Sequence, residues 1–106
     1  MCLEEASVVQ AVENWTEVDG AIADVGPEPG GSPQTLVAVD VERTAPVEGF
    51  PDLLGEVAGS RLELRLRNEV AAGLDLEVGR TLHAWVQRVS PTVLVVHSEH
   101  VRCEDR

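Results

Sequence analysis

Three side chains with metal-binding chemistry follow one another at intervals of three: His97, His100 and Cys103. Imidazole and thiolate together suit zinc. Residues three apart on a strand point to opposite faces, so this trio converges only where the chain turns. The spacing matches no familiar ligand frame, and no metal is expected there. A second group is aromatic. Trp85 shares one phase of a strand-like stretch with His83, and Trp15 lies near the first bend of the chain. Tryptophan is enriched among protein-binding hot spots, so Trp85 is expected to face outward as an anchor for a partner. A third group is basic. Arg61, Arg65 and Arg67 alternate with leucines, a row that suits phosphates. Frames for catalysis are missing. The chain has no Lys, hence no amine nucleophile, and no Gly-rich phosphate loop ending in Lys. It has no Gly-x-Ser-x-Gly elbow, and no carboxylate pair is set apart by apolar neighbours. No enzymatic activity and no cofactor are expected.

These groups must be held by strands. The apolar set is dominated by eighteen Val against eleven Leu and one Ile. β-branched residues favour a pleated, half-buried surface. Five stretches carry strand character. The first covers residues 8–25, where Val18, Gly20 and Ile22 alternate with polar or small residues, and Gly20 suggests a bulge or bend. The segment 26–33 holds three Pro and three Gly and must be a loop. In residues 35–43, Val37, Val39 and Val41 face one way and Ala38, Asp40 and Glu42 the other, the pattern of a strand buried on one face. Residues 44–60 form a second long connection, in which Phe50, Leu53, Leu54 and Val57 suggest a helical turn over one end of the core. In residues 61–68, Leu62, Leu64 and Leu66 point inward and the arginines outward. Asn68 is placed to cap a short helix that Gly73 ends. A turn at Gly79 leads to residues 80–89, with Leu82, Ala84 and Val86 on the inner phase. Ser90-Pro91 then turns the chain into residues 92–98. Residues 1–7 and 99–106 are expected to fray.

Strand, strand, strand, short helix, strand, strand is the element order of the OB-fold, a five-stranded Greek-key barrel. The resemblance covers nearly the whole chain as one all-β domain, residues 1–106. It rests on this order and on the helix at 68–73. The last third, with Leu76-Glu77-Val78-Gly79 before a two-strand hairpin, resembles the small TOBE-type OB domains at the ends of transporter ATPases and molybdate-binding proteins. The loops at 26–33 and 44–60 depart from those compact domains, so no oxyanion site is carried over.

The resemblance directs attention to the outward residues of strands two and three, where OB domains commonly bind single-stranded nucleic acid. That binding needs a positive groove and aromatic platforms. Asp40 and Glu42 on strand two face the row of Arg61, Arg65 and Arg67 on strand three. They are expected to pair across the ladder with Arg65 or Arg67, with no aromatic on either strand. Formal net charge is −11. Residues 1–59 carry all of that excess, whereas residues 60–106 balance seven acids with seven Arg. An acidic surface repels phosphates and attracts basic partners. The expected function is therefore a non-catalytic binding module, an accessory or adaptor subunit. It would dock on a protein, with a basic partner suited to its charge, through Trp85, His83, Trp15, Asp40, Glu42 and the 26–33 loop. Single-stranded nucleic acid held by Arg61, Arg65 and Arg67 is the alternative, and a small anion or metabolite between two copies of the domain is the second. No apolar run exceeds four residues, so no membrane span is expected. The acidic opening Met-Cys-Leu-Glu-Glu lacks the basic start of a secretory signal, which points to the cytoplasm. Cys2 and Cys103 are expected to remain thiols there.

Overall fold

The structure is a computed structural model that describes residues 13–54 and 57–105. Five strands alternate with one short helix: β1 (Thr16–Pro27), β2 (Gln34–Pro46), β3 (Arg61–Arg67), α1 (Asn68–Ala72), β4 (Thr81–Ser90) and β5 (Val93–Glu104). They close into a barrel in the order β1-β2-β3-β5-β4. All neighbouring strands run antiparallel except β3 and β5, which meet in parallel at Arg65 and Val95. This is the all-β, five-stranded barrel expected from the alternation, with its helix between β3 and β4.

Alternation decides what goes inside. Val18 and Ile22 of β1, Val37, Val39 and Val41 of β2, Leu64 and Leu66 of β3, Leu82, Ala84 and Val86 of β4 and Leu94 of β5 fill the interior. Each Val, Leu or Ile among them stabilises the fold by roughly 1.5–3 kcal/mol when fully buried. The connection between β2 and β3 contributes buried Val47 and Leu54, the latter as part of the core cluster, while Leu53 stays exposed. No helical turn forms among its described residues, contrary to the expectation for that stretch.

At Gly20, β1 lies tight against β2. A Cβ there would run into the carbonyl oxygen of Asp40 and lie 2.6 Å from Cγ1 of Val39. The register slips beside it: Asp19 pairs with Arg43, but Gly20 pairs with Val41, which leaves Glu42 as an extra residue on β2. The irregularity signalled at Gly20 is present, with its extra residue on the partner strand β2.

The largest departure from expectation lies in β5. Residues 99–104 do not fray; β5 continues to Glu104, which pairs with Thr81, as Cys103 pairs with Leu82. Residues 1–7 and Arg106 lie outside the described residues. The alternating pattern fails in β5 because of a wide bulge. Val86 pairs with Val96 and Ala84 with Val101, so residues 97–100 all face the single residue Trp85. An odd number of extra residues reverses the phase. Leu94 and Val96 point inward before the bulge, and Val101 and Cys103 pack against the core after it.

Around α1, the N-cap is Arg67 rather than Asn68, and no side chain caps the helix. The Asn68 side chain instead accepts a hydrogen bond from Thr35 Oγ1 at 2.7 Å, and its backbone N–H donates to Pro33 at 3.0 Å. Gly73 ends the helix in a right-handed conformation with its N–H on the Val70 carbonyl. Gly79, at φ 96°, makes the turn into β4, where its N–H donates to the Ile22 carbonyl at 2.8 Å.

Candidate functional site

Directly paired residues on antiparallel strands place their side chains on the same face. Glu17 pairs with Trp85 and Asp19 with His83 across β1 and β4, and His83 pairs with Arg102 across β4 and β5. The outer face of β1, β4 and β5 therefore carries Glu17, Asp19, His83, Trp85 and Arg102 side by side. The wide bulge of β5 then folds two imidazoles onto this face. His100 stacks on Trp85 with ring centroids 3.7 Å apart and planes 9° from parallel. His97 meets Trp85 edge-on at 5.7 Å, His100 at 4.6 Å and Trp15 at 4.7 Å. Trp15 and Trp85 lie 6.3 Å apart.

The cluster is buried at its base and exposed at its rim. Trp15 is buried, and its indole N–H donates to Glu13 at 2.8 Å. The preceding residue, Asn14, is buried too. Its side chain accepts from the Arg88 backbone N–H and donates to the Arg88 carbonyl, copying one rung of a strand ladder beside β4. In the bulge, His97 Nδ1 accepts the backbone N–H of Glu99 at 3.0 Å, which leaves the proton of the neutral ring on Nε2. His100 is exposed. Trp85 is half-buried and its phase is the outward one expected.

His83 sits deeper, between two carboxylates. Its Nδ1 donates to Asp19 Oδ1 at 2.7 Å, and its Nε2 lies 3.4 Å from Glu104 Oε1. Asp19 also faces Arg43 at 3.6 Å, and Glu104 accepts from Arg102 at 2.8 Å. That Arg102 hydrogen bond, reinforced by His83, holds the Glu104 carboxyl below the usual carboxylate range. A cleft of 250 Å³ opens between this chain of ion pairs and the stacked rings. Its walls include Glu17, His83, Trp85, Glu99, His100 and Arg102.

The other proposed face, on β2 and β3, looks different. Arg61 grips Asp40 with two hydrogen bonds, at 2.7 and 3.2 Å. This contact lowers the carboxyl's proton affinity. Arg65 donates to Glu28 at 2.8 Å, and Arg67 to Glu69 at 2.9 Å. Asp40 thus takes Arg61, not the Arg65 or Arg67 expected, because Asp40 and Arg61 are directly paired in the ladder. Glu28 comes from the Pro-Gly loop, and its carboxyl is held low first by Ser32 and then by Arg65. Arg65 is left only 19% exposed, so that loop covers the middle of the arginine row. Glu42 is the bulge residue of β2, exposed beside Arg43 and away from the aromatic cluster. Asp40 and Glu42 therefore do not join Trp85, His83 and Trp15 in one site.

His97 and His100 meet, but Cys103 does not join them. It pairs with Leu82 beyond the bulge and packs on the core, where burial pushes its thiol up. Its carbonyl accepts from Arg80 at 3.3 Å. Arg80 also donates to the Asp75 carbonyl and forms an ion pair with Asp105, tying the end of β5 to the turn before β4. No group of three or more His, Cys, Asp or Glu among the described residues is arranged to hold a metal. Among the described residues no helix is long and apolar enough to cross a membrane.

The sequence reading did not single out Glu17, Glu99 or the stacking of His100. The available signal was the break after the run Val93–Val96, where Ser98, Glu99 and His100 interrupt alternation opposite a lone Trp. Comparison with known proteins found no matching protein-family model and no significantly similar curated protein.

Proposed function

We propose that this chain is a non-catalytic docking module, an OB-like barrel that takes a basic segment of a protein partner on the outer face of β1, β4 and β5. The observation that supports it best is the cluster of Trp15, Trp85, His97 and His100 with carboxylates at its edge. Aromatic rings supply contact area at low entropic cost, and the surrounding acids attract positive charge. The cluster shows no nucleophile aimed at an oxyanion pocket and no acid–base pair placed around a reacting centre, which fits binding better than catalysis. Nucleic acid on the β2–β3 face is disfavoured, since Arg61, Arg65 and Arg67 each already hold a carboxylate.

The test is fluorescence anisotropy of two labelled probes, an arginine- and lysine-containing basic peptide and a single-stranded oligothymidylate, against wild type and Trp85→Ala. The expected result is peptide binding that weakens at least about ten-fold in Trp85→Ala, a loss typical of a hot-spot tryptophan. Circular dichroism would show the barrel retained. Peptide binding indifferent to Trp85 would overturn the reading. So would oligothymidylate binding that falls steeply with salt and is lost on replacing Arg61, Arg65 and Arg67.

A further inference from the structure

Among the carboxylates around the aromatic cluster, two are uncommitted. Asp19 is held by His83 and Arg43, Glu104 by Arg102, and Glu13 by the Trp15 indole. Glu17 and Glu99 make no ion pair and no side-chain hydrogen bond among the described residues, yet both line the cleft that contains the Trp85–His100 stack. Glu17 sits directly across the ladder from Trp85, and Glu99 precedes His100 in the bulge. The cleft thus combines a flat π surface with two carboxylates that hold no hydrogen bond or close ion pair among the described residues, Glu17 feeling Arg102 only at longer range.

The chemistry of the occupant follows from these parts. An anion meets repulsion from both carboxylates. An ammonium group gains from the ring face and from one carboxylate, as a point charge. A guanidinium does more, because it lies flat against an aromatic plane while its in-plane N–H groups fork towards carboxylates. The chain's own described arginines are already engaged. Arg61, Arg65, Arg67 and Arg102 are on Asp40, Glu28, Glu69 and Glu104, and Arg43 is on Asp19. Arg80 binds the carbonyls of Asp75 and Cys103, and Arg88 those of Leu53 and Pro91. Arg102 closes one end of the cleft but gives its Nε to Glu104. Among the described residues no arginine is left to fill the cleft, so its chemistry suits a guanidinium brought by a partner.

We infer that the cleft between Glu17, Trp85, Glu99 and His100 is a receptor for an arginine side chain of a protein partner. The guanidinium stacks on the Trp85–His100 pair and hydrogen-bonds to Glu17 and Glu99. This rests on the docking reading above and adds a preference for arginine over lysine at equal charge.

The experiment titrates the full chain with three otherwise identical peptides whose cationic positions are all Arg, all Lys or all citrulline, the neutral isostere of arginine. Wild type, Trp85→Ala and the double variant Glu17→Gln/Glu99→Gln are compared. Both glutamates are exposed and without described partners, so the double variant is expected to fold. The expected result is an arginine peptide bound at least about five-fold more tightly than the lysine peptide, with no binding of citrulline. That preference should disappear in the double variant. Arginine and lysine peptides that bind equally, with both still dependent on Trp85, would overturn the arginine receptor and leave the docking reading standing. Binding of either peptide that ignores Trp85 would overturn both.

Discussion

The two faces of this barrel carry similar kinds of charged residue and use them in opposite ways. On β2 and β3 every arginine has found a carboxylate within the chain, Arg43 on Asp19, Arg61 on Asp40, Arg65 on Glu28 and Arg67 on Glu69. On β1, β4 and β5 the balance runs the other way. Arginines there are few, Glu17 and Glu99 make no hydrogen bond or close ion pair through their side chains among the described residues, and four rings gather where β5 bulges. A closed charge network has little left to offer a ligand. An open one beside exposed aromatic surface does. The difference teaches that the count of arginines on a small β-barrel is a poor guide to where it could bind, because what matters is which charges are already satisfied.

The largest expected effect removes the feature both faces share. Gly20→Val would drive a side chain into the Asp40 carbonyl and Val39 at the β1–β2 bulge. Overpacking of this kind costs typically about 1–3 kcal/mol. The thermal unfolding midpoint should fall by several degrees, since about 1 kcal/mol shifts it roughly 4–8 °C in a domain of this size. An unchanged midpoint would mean that β1 and β2 separate easily there, and the bulge would lose its role.

Next in size is the aromatic face. Trp85→Ala removes one ring from contact with three others, and aromatic pairs are worth about 0.5–1.5 kcal/mol each. A stability loss of about 1–3 kcal/mol in urea unfolding is expected, together with loss of the basic peptide. On the opposite face, Arg61→Ala breaks only an exposed pair, 62% and 52% accessible. Exposed pairs contribute little. Peptide affinity and unfolding midpoint should stay at wild-type values. If Arg61→Ala weakened the peptide as much as Trp85→Ala, the contrast between the faces would collapse.

How far the sequence foretold this contrast depends on the strand. β2 and β3 were legible because Val37, Val39, Val41 and Leu62, Leu64, Leu66 keep strict alternation, the signature of one buried face. The inner row of β4 was legible for the same reason, and the irregularity beside Gly20 from a glycine set inside a strand. The second half of β5 was not. A bulge reverses the phase, so Val101 and Cys103 enter the core out of step with Leu94 and Val96. Alternation alone then reads the stretch as a polar tail. The site followed suit. Trp85 and Trp15 were visible as candidate anchors, and His83 as a neighbour. The stack of His100 on Trp85 depends on residues 97–100 crowding opposite one position, which no local pattern encodes. Pairing partners were legible only in kind: opposite charges were expected to meet across β2 and β3. The ladder register chose Arg61 for Asp40, and a Pro-Gly loop brought Glu28 to Arg65.

The smallest effect is a titration. Arg61 stabilises the ionised form of Asp40, so that carboxyl titrates below its ordinary value. A lowered carboxylate contributes to stability above the unfolded-state value, and the contribution is lost as pH falls through the lowered folded value. Carboxyl carbon shifts followed by NMR should show Asp40 protonating at lower pH than in Arg61→Ala. Glu104 should show the same relation to Arg102→Ala. Coincident curves would mean that these ion pairs are open in solution, and the β2–β3 arginines would be available after all.

The most direct test of the contrast is to map a basic peptide on the 15N-labelled chain. Chemical-shift changes concentrated on the Trp85 and Trp15 indoles and the backbone amides of Glu17, Glu99 and His100, with Arg61, Arg65 and Arg67 undisturbed, are the expected result. Changes confined to Arg61, Arg65 and Arg67, with the indole signals fixed, would contradict the account.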